Sequence, residues 1–142
     1  MNRDRMIALA NAIERAPHDP DPHYREGAFT RDIKTFNMEW FVCGTTGCIA
    51  GWTLAMFAPE RPGRPGEAAY KAREILGLTE WQAELLFFPA NLCDISYAEI
   101  TPQQAAAVIR DAVSIFQAKK GDYVAEEMES AWNSRTKSRR QE

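Results

Sequence analysis

Four side chains in the first third of the chain are of types that do chemistry. His18 and His23 stand with four residues between them, and Cys43 and Cys48 repeat that spacing. Cys48 follows Gly44 and Gly47 and opens an apolar run, so a turn would deliver its sulfur to the start of a helix. Free amides and the helix dipole at such a place favour a thiolate, and the same amides could hold an oxyanion. A cysteine nucleophile needs a base. His18 and His23 are the two histidines available, with Asp19, Asp21 or Asn37 to orient the imidazole. The reaction class would be a cysteine-dependent hydrolase or transferase. The competing reading makes Cys48 a small buried apolar residue, the ordinary state of a free cysteine.

Two His and two Cys also make a donor set for tetrahedral zinc. Nineteen residues separate His23 from Cys43, however, and that gap matches no finger spacing, so no metal and no cofactor are expected. A Cys43–Cys48 disulfide would require the turn to bring the two α-carbons within reach.

The elements that must position these groups read mostly as helices. Met6, Leu9, Ala10 and Ile13 recur at helical spacing between Asp4 and Ala16. Pro17, Pro20 and Pro22 then forbid helix and predict a rigid loop or arm carrying both histidines. From Phe29 to Val42 two periods compete. Phe29, Ile33 and Phe36 suit a helix, whereas Phe36, Met38, Trp40 and Val42 alternate as in a strand. A small β-hairpin near residues 35–42 is the alternative left open.

Thr45 or Thr46 is expected to cap a helix over Cys48–Phe57, apolar nearly all round and so buried on every side. A helix over Glu67–Leu76 stops at Gly77. Thr79 and Gln82 spell a capping box for a short helix ended by Pro89, and Thr101 and Gln104 spell another for a helix to about Ala118. Asp122 would cap a last helix carrying Val124, Met128, Ala131 and Trp132. The expectation is an all-α single domain of five to six helices over residues 1–133, with a basic, disordered tail over 134–142.

The chain has 142 residues, 45% of them hydrophobic, with four Trp, seven Phe and four Tyr, enough to build one core and exclude a disordered chain. Arg135, Lys137, Arg139 and Arg140 against Glu142 give the last nine residues +3, leaving −6 for the rest of a chain whose total is −3. An acidic body does not suit phosphate contacts. Leu76-Gly77-Leu78-Thr79 resembles the turn of a helix-turn-helix, but the helix after it carries Glu80 and Glu84 and no Lys or Arg, so no nucleic-acid partner is expected. The first residues are too polar for a signal sequence and no run is long enough for a bilayer span. Three cysteines, an odd number, fit a reducing compartment. A cytoplasmic location away from membranes is expected. Trp81 and Trp132, near helix ends, are candidates for a partner surface.

Phe36-Asn37-Met38, the run from Cys43-Gly44-Thr45 to Gly47-Cys48-Ile49-Ala50-Gly51-Trp52, Leu76-Gly77-Leu78-Thr79 with Gln82-Ala83, and Ile100-Thr101-Pro102 together resemble a group of small uncharacterised bacterial and phage-encoded proteins over roughly residues 30 to 115. The group has no assigned activity, so the resemblance implies no catalytic residues. It implies a bacterial cytoplasmic setting with a mobile-element history.

The reading these observations support is a non-catalytic accessory or protein-binding module. Cys43, Gly44, Thr45, Gly47, Cys48 and Trp52 would form architecture or the rim of a pocket. The alternative is the cysteine enzyme, with Cys48, His18 and His23 as its candidate catalytic groups. Burial separates the two: a module would bury Cys48 and leave the histidines in solvent, whereas an enzyme would set a His against Cys48 in a cleft.

Overall fold

A computed structural model describes residues 1–20, 33–39, 42–43, 46–58, 65–89, 96–118 and 123–136. It is mainly helical: α1 (Arg3–Arg15), α2 (Ile49–Phe57), α3 (Pro65–Leu76), α4 (Glu80–Phe87), α5 (Pro102–Ala118) and α6 (Tyr123–Thr136), with a short 3-10 turn at Tyr97–Glu99. Three two-residue strands, β1 (Thr35–Phe36), β2 (Val42–Cys43) and β3 (Thr46–Gly47), add a small sheet of order β1-β3-β2.

Helix α1 forms because Met6, Leu9, Ala10 and Ile13 fall on one stripe, and all four are buried. That stripe packs chiefly on α5, which in turn packs on α6, while α2 packs on α3. On α5 the buried set is Pro102, Ala105, Ala106, Val108, Ile109, Ala112, Val113 and Phe116. Outside the seam, the Arg110 guanidinium pairs with Glu14 and donates to Asn11 Oδ1 at 2.9 Å. This contact is exposed and contributes at most about 1 kcal/mol.

Both capping boxes form. Thr79 Oγ1 accepts from Gln82 N at 3.1 Å while Gln82 Oε1 accepts from Thr79 N at 3.0 Å. Thr101 and Gln104 repeat the exchange at 3.1 and 2.9 Å. Each supplies about 1 kcal/mol by satisfying amides that a helix start leaves free.

Helix α3 ends in a Schellman motif, with Leu78 N donating to Arg73 O and Gly77 N to Glu74 O. Gly77 has φ +66°, and a β-carbon there would lie 3.1 Å from Asn2 N, which itself donates to Leu76 O at 2.7 Å. Gly77→Ala is therefore expected to destabilise the fold by about 1–2 kcal/mol from the left-handed conformation alone. A urea midpoint unchanged by the substitution would refute this.

The sheet corrects several expectations. Of the hairpin expected near residues 35–42, a strand forms at Thr35–Phe36, but among the described residues the antiparallel pair is β2 with β3. It matches Val42 with Gly47 and Cys43 with Thr46, and β1 adds to β3 in parallel; Trp40 and Phe41 lie outside the described residues. Strands of two residues are too short to show alternation, so their pattern could not be read. Thr46 lies in β3 and does not cap α2; Cys48 takes that place, and its side chain makes no cap hydrogen bond. Helix α2 is buried over Ile49, Ala50, Gly51, Thr53 and Leu54, but Trp52, Ala55, Met56 and Phe57 are half-buried, so it is not enclosed on every side. An apolar helix has no polar face to reveal which side meets water.

The last helix runs to Thr136, three residues into the stretch expected to be tail. Arg135 Nε donates to Asp111 Oδ2 at 2.9 Å and Thr136 is buried. Residues 137–142 and Asp122 lie outside the described residues.

Candidate functional site

The arm after α1 begins as a strand-like strap. Phe36 N donates to Pro17 O at 2.9 Å and Asp19 N to Phe36 O at 3.0 Å, so His18 bridges β1 in parallel. Asn37, fully buried, locks the strap: Nδ2 donates to Asp19 O at 2.8 Å and Oδ1 accepts from Glu39 N at 2.8 Å. Its own N–H donates to Gly47 O at 3.1 Å. The residue weighed as an orienter of imidazole is spent wholly on backbone.

His18 is half-buried and its Nε2 lies 2.9 Å from Ala98 O. That contact holds the strap to the 3-10 turn and commits one ring nitrogen to a carbonyl. Cys48 is 8% exposed. Burial pushes its thiol pKa up from the ordinary 9.0, against a smaller downward pull from the amides of Gly51, Ala50 and Cys48 itself. Those amides are the donors that a turn-to-helix nucleophile would use, but desolvation of the charged form outweighs them. A buried thiol with a raised pKa is the opposite of what nucleophilic attack needs. Trp52 Nε1 donates to Thr35 O at 2.9 Å, tying α2 to β1. Gly47 is buried within the sheet. His23, Gly44, Thr45, Cys93 and the side chain of Cys43 lie outside the described residues. Among the described residues, no three His, Cys, Asp or Glu gather as a metal site would require. The described part of the Cys43–Trp52 segment ties α2 to the sheet.

The sign of the pH effect at Cys48 follows from the raised pKa. Its contribution to stability is full below the unfolded value near 9.0 and is lost as pH rises through the folded one. Stability of the native chain relative to Cys48→Ala is expected to shrink as pH rises above about 9. Alkylation of Cys48 in the folded protein should follow the unfolding rate; reaction at the rate of a free thiol at neutral pH would reverse this account.

Among the described residues, a concave surface with exposed aromatic and charged groups lies elsewhere, between α3 and α4. A groove of about 390 Å³ is lined by Tyr70 and Arg73 of α3 and by Glu80, Glu84, Phe87 and Phe88 at α4. Tyr70 is 54% and Phe88 56% exposed. The exposure of Phe88 has a local cause. Pro89 cannot continue the helix and disfavours helical angles at the residue before it, so Phe88 leaves α4 at φ −130°, ψ 61°. Phe87, buried, meets its ring edge-on with centroids 6.3 Å apart. The Arg73 guanidinium lies over the Tyr70 ring at 5.4 Å while Nε donates to Leu78 O at 3.2 Å.

Of the two tryptophans suggested for a partner surface, Trp81 is half exposed on α4, and Trp132 is wholly buried. Tyr70 and Phe88 were not singled out from sequence. Tyr70 falls opposite Ala72 and Leu76 on α3, which is a readable signal; Phe88 lies one residue past a helix and has no phase to read.

No protein-family description, no curated protein and no solved structure matches this chain. The class that the fold defines is a mainly helical domain with a small three-stranded sheet. No described helix is long and apolar enough to cross a membrane.

Proposed function

We propose that the protein is a non-catalytic accessory module that docks a protein partner on the α3–α4 face. The observation that carries this reading is the pairing of two half-exposed aromatic rings, Tyr70 and Phe88, across a groove with buried Phe87 at its base. Large exposed aromatic rings on a rigid concave surface are the anchors that interfaces use. Trp81 is exposed on helix α4 and does not line the groove. Glu80 and Glu84 on the groove wall favour a protein over a nucleic acid, because carboxylates repel phosphate. The burial of Cys48 supports the non-catalytic half of the proposal; His18, half-buried on Ala98 O, departs from the expectation that a module leaves it in solvent. A bacterial cytoplasmic setting with a mobile-element history belongs to the same proposal and rests on the Cys43–Trp52 motif and the odd cysteine count.

Placing the photocrosslinker p-benzoylphenylalanine at position 88, in cells that naturally make the protein, tests the docking face. A discrete protein adduct is expected at 88, absent when the crosslinker is at exposed position 126 and lost with Tyr70→Ala. Equal adducts at both positions, or none at 88, would remove the proposal.

A further inference from the structure

The groove also carries a charge pattern that says what kind of side chain fits it. Glu80 and Glu84 stand one helical turn apart on α4, both exposed and both on the groove wall. Like charges at that spacing repel, and among the described residues neither carboxylate makes an ion pair or a side-chain hydrogen bond. Arg73, the one cation among the described lining residues, is engaged within α3 and its C-terminal turn. Its Nε is spent on Leu78 O, its guanidinium rests on Tyr70, and it sits in the last turn of α3, where the helix dipole favours positive charge. An incoming partner therefore meets two carboxylates against the single positive charge of Arg73, together with the exposed rings of Phe88 and Tyr70.

Both kinds of group select the same ligand. Carboxylates attract a cation, and aromatic faces attract a cation with a flat, weakly hydrated head. A guanidinium satisfies both: it forks onto a carboxylate through two parallel N–H bonds and stacks on a ring, which a compact ammonium does less well. Its three-carbon stem would lie along Ala69 and Ala83, which also line the groove. We infer that the α3–α4 groove receives an arginine side chain from a segment of the partner protein, held by Glu80 and Glu84 and stacked against Phe88. This inference rests on the docking reading of the same face.

The test uses N-acetyl-arginine amide as the probe, with N-acetyl-citrulline amide as its neutral, nearly isosteric control and N-acetyl-lysine amide as the ammonium control. Amide and aromatic NMR signals of the full chain report where each binds. The arginine compound is expected to shift resonances of residues 69–73 and 80–88 with a dissociation constant in the low millimolar range, about tenfold tighter than citrulline and tighter than lysine. The exposed double variant Glu80→Gln/Glu84→Gln, checked for an unchanged fold by its amide spectrum, should abolish the preference for arginine over citrulline. Phe88→Leu, which keeps apolar bulk but removes the ring, should weaken arginine and leave lysine little changed. Equal binding of arginine and citrulline, shifts away from the groove, or no shift at about 50 mM probe overturns the inference. An adduct at position 88 without arginine preference overturns the arginine assignment alone; loss of that adduct overturns the docking reading beneath it.

Discussion

Trp132→Ala is expected to lower the unfolding free energy by about 3–5 kcal/mol, the range for removing a buried large aromatic. Trp132 is fully buried, so truncation leaves a cavity among α4, α5 and α6 as well as losing apolar transfer energy. A second cost is particular to this protein. In a continuing helix, Leu85 O would accept from the amide of residue 89. That residue is Pro89, which has no N–H. Trp132 Nε1 takes the vacant place, donating to Leu85 O at 3.0 Å. Trp132→Phe keeps most of the volume but orphans that carbonyl, and is expected to cost about 1–3 kcal/mol. Since small domains hold about 5–15 kcal/mol in all, the alanine variant should be near the edge of folding at 37 °C. Urea titration checks both, as a lower midpoint at constant slope. A loss under about 1 kcal/mol for Trp132→Ala would mean that α6 is not docked on α4 as described. Because α4 carries Glu84 and leads directly into Phe88, loosening this tie should also broaden the NMR signals of the groove.

Asn37→Ala should cost about 2–3 kcal/mol, because it strips the partners from Asp19 O and Glu39 N in a part-buried place. The more informative variant is Asn37→Asp. An aspartate keeps the shape and can still accept from Glu39 N, but its ionised second oxygen would face Asp19 O in place of the Nδ2 donor. Burial and that repulsion would raise the pKa of the introduced carboxyl above its unfolded value near 3.9. The sign follows: a raised folded pKa gives stability that is full below the unfolded value and lost as pH rises through the folded one. Asn37→Asp is therefore expected to approach the native stability at acid pH, where the protonated carboxyl donates to Asp19 O, and to fall away toward neutrality. A stability gap independent of pH would show that Asn37 acts through packing rather than through its Nδ2 donor.

How much of this was legible varies by element, and the physics explains the variation. The α1 stripe and the buried faces of α5 and α6 were readable because each repeats an apolar residue at helical spacing on an otherwise polar segment. The stops at Gly77 and Pro89 and both capping boxes were readable because local hydrogen bonding decides them within a few residues. The sheet was not, since its two-residue strands are placed by long-range backbone pairing. The candidate site was read one-sidedly: the cysteine and histidine spacings drew attention to a joint, while Tyr70 and Phe88 sat in segments explained as helix punctuation.

The sequence by itself determined the helices, the stops at Gly77 and Pro89, both capping boxes and most of the buried faces, because period, capping and chain stiffness act over a turn or two. Only the tertiary structure decided the state of Cys48, the partner of His18 and the groove between α3 and α4. The thiol is kept neutral by the depth at which β3 and α2 bury it. The imidazole is committed to a carbonyl eighty residues away. The groove exists because a Schellman turn and a proline stop set two short helices side by side and leave their aromatic residues facing water.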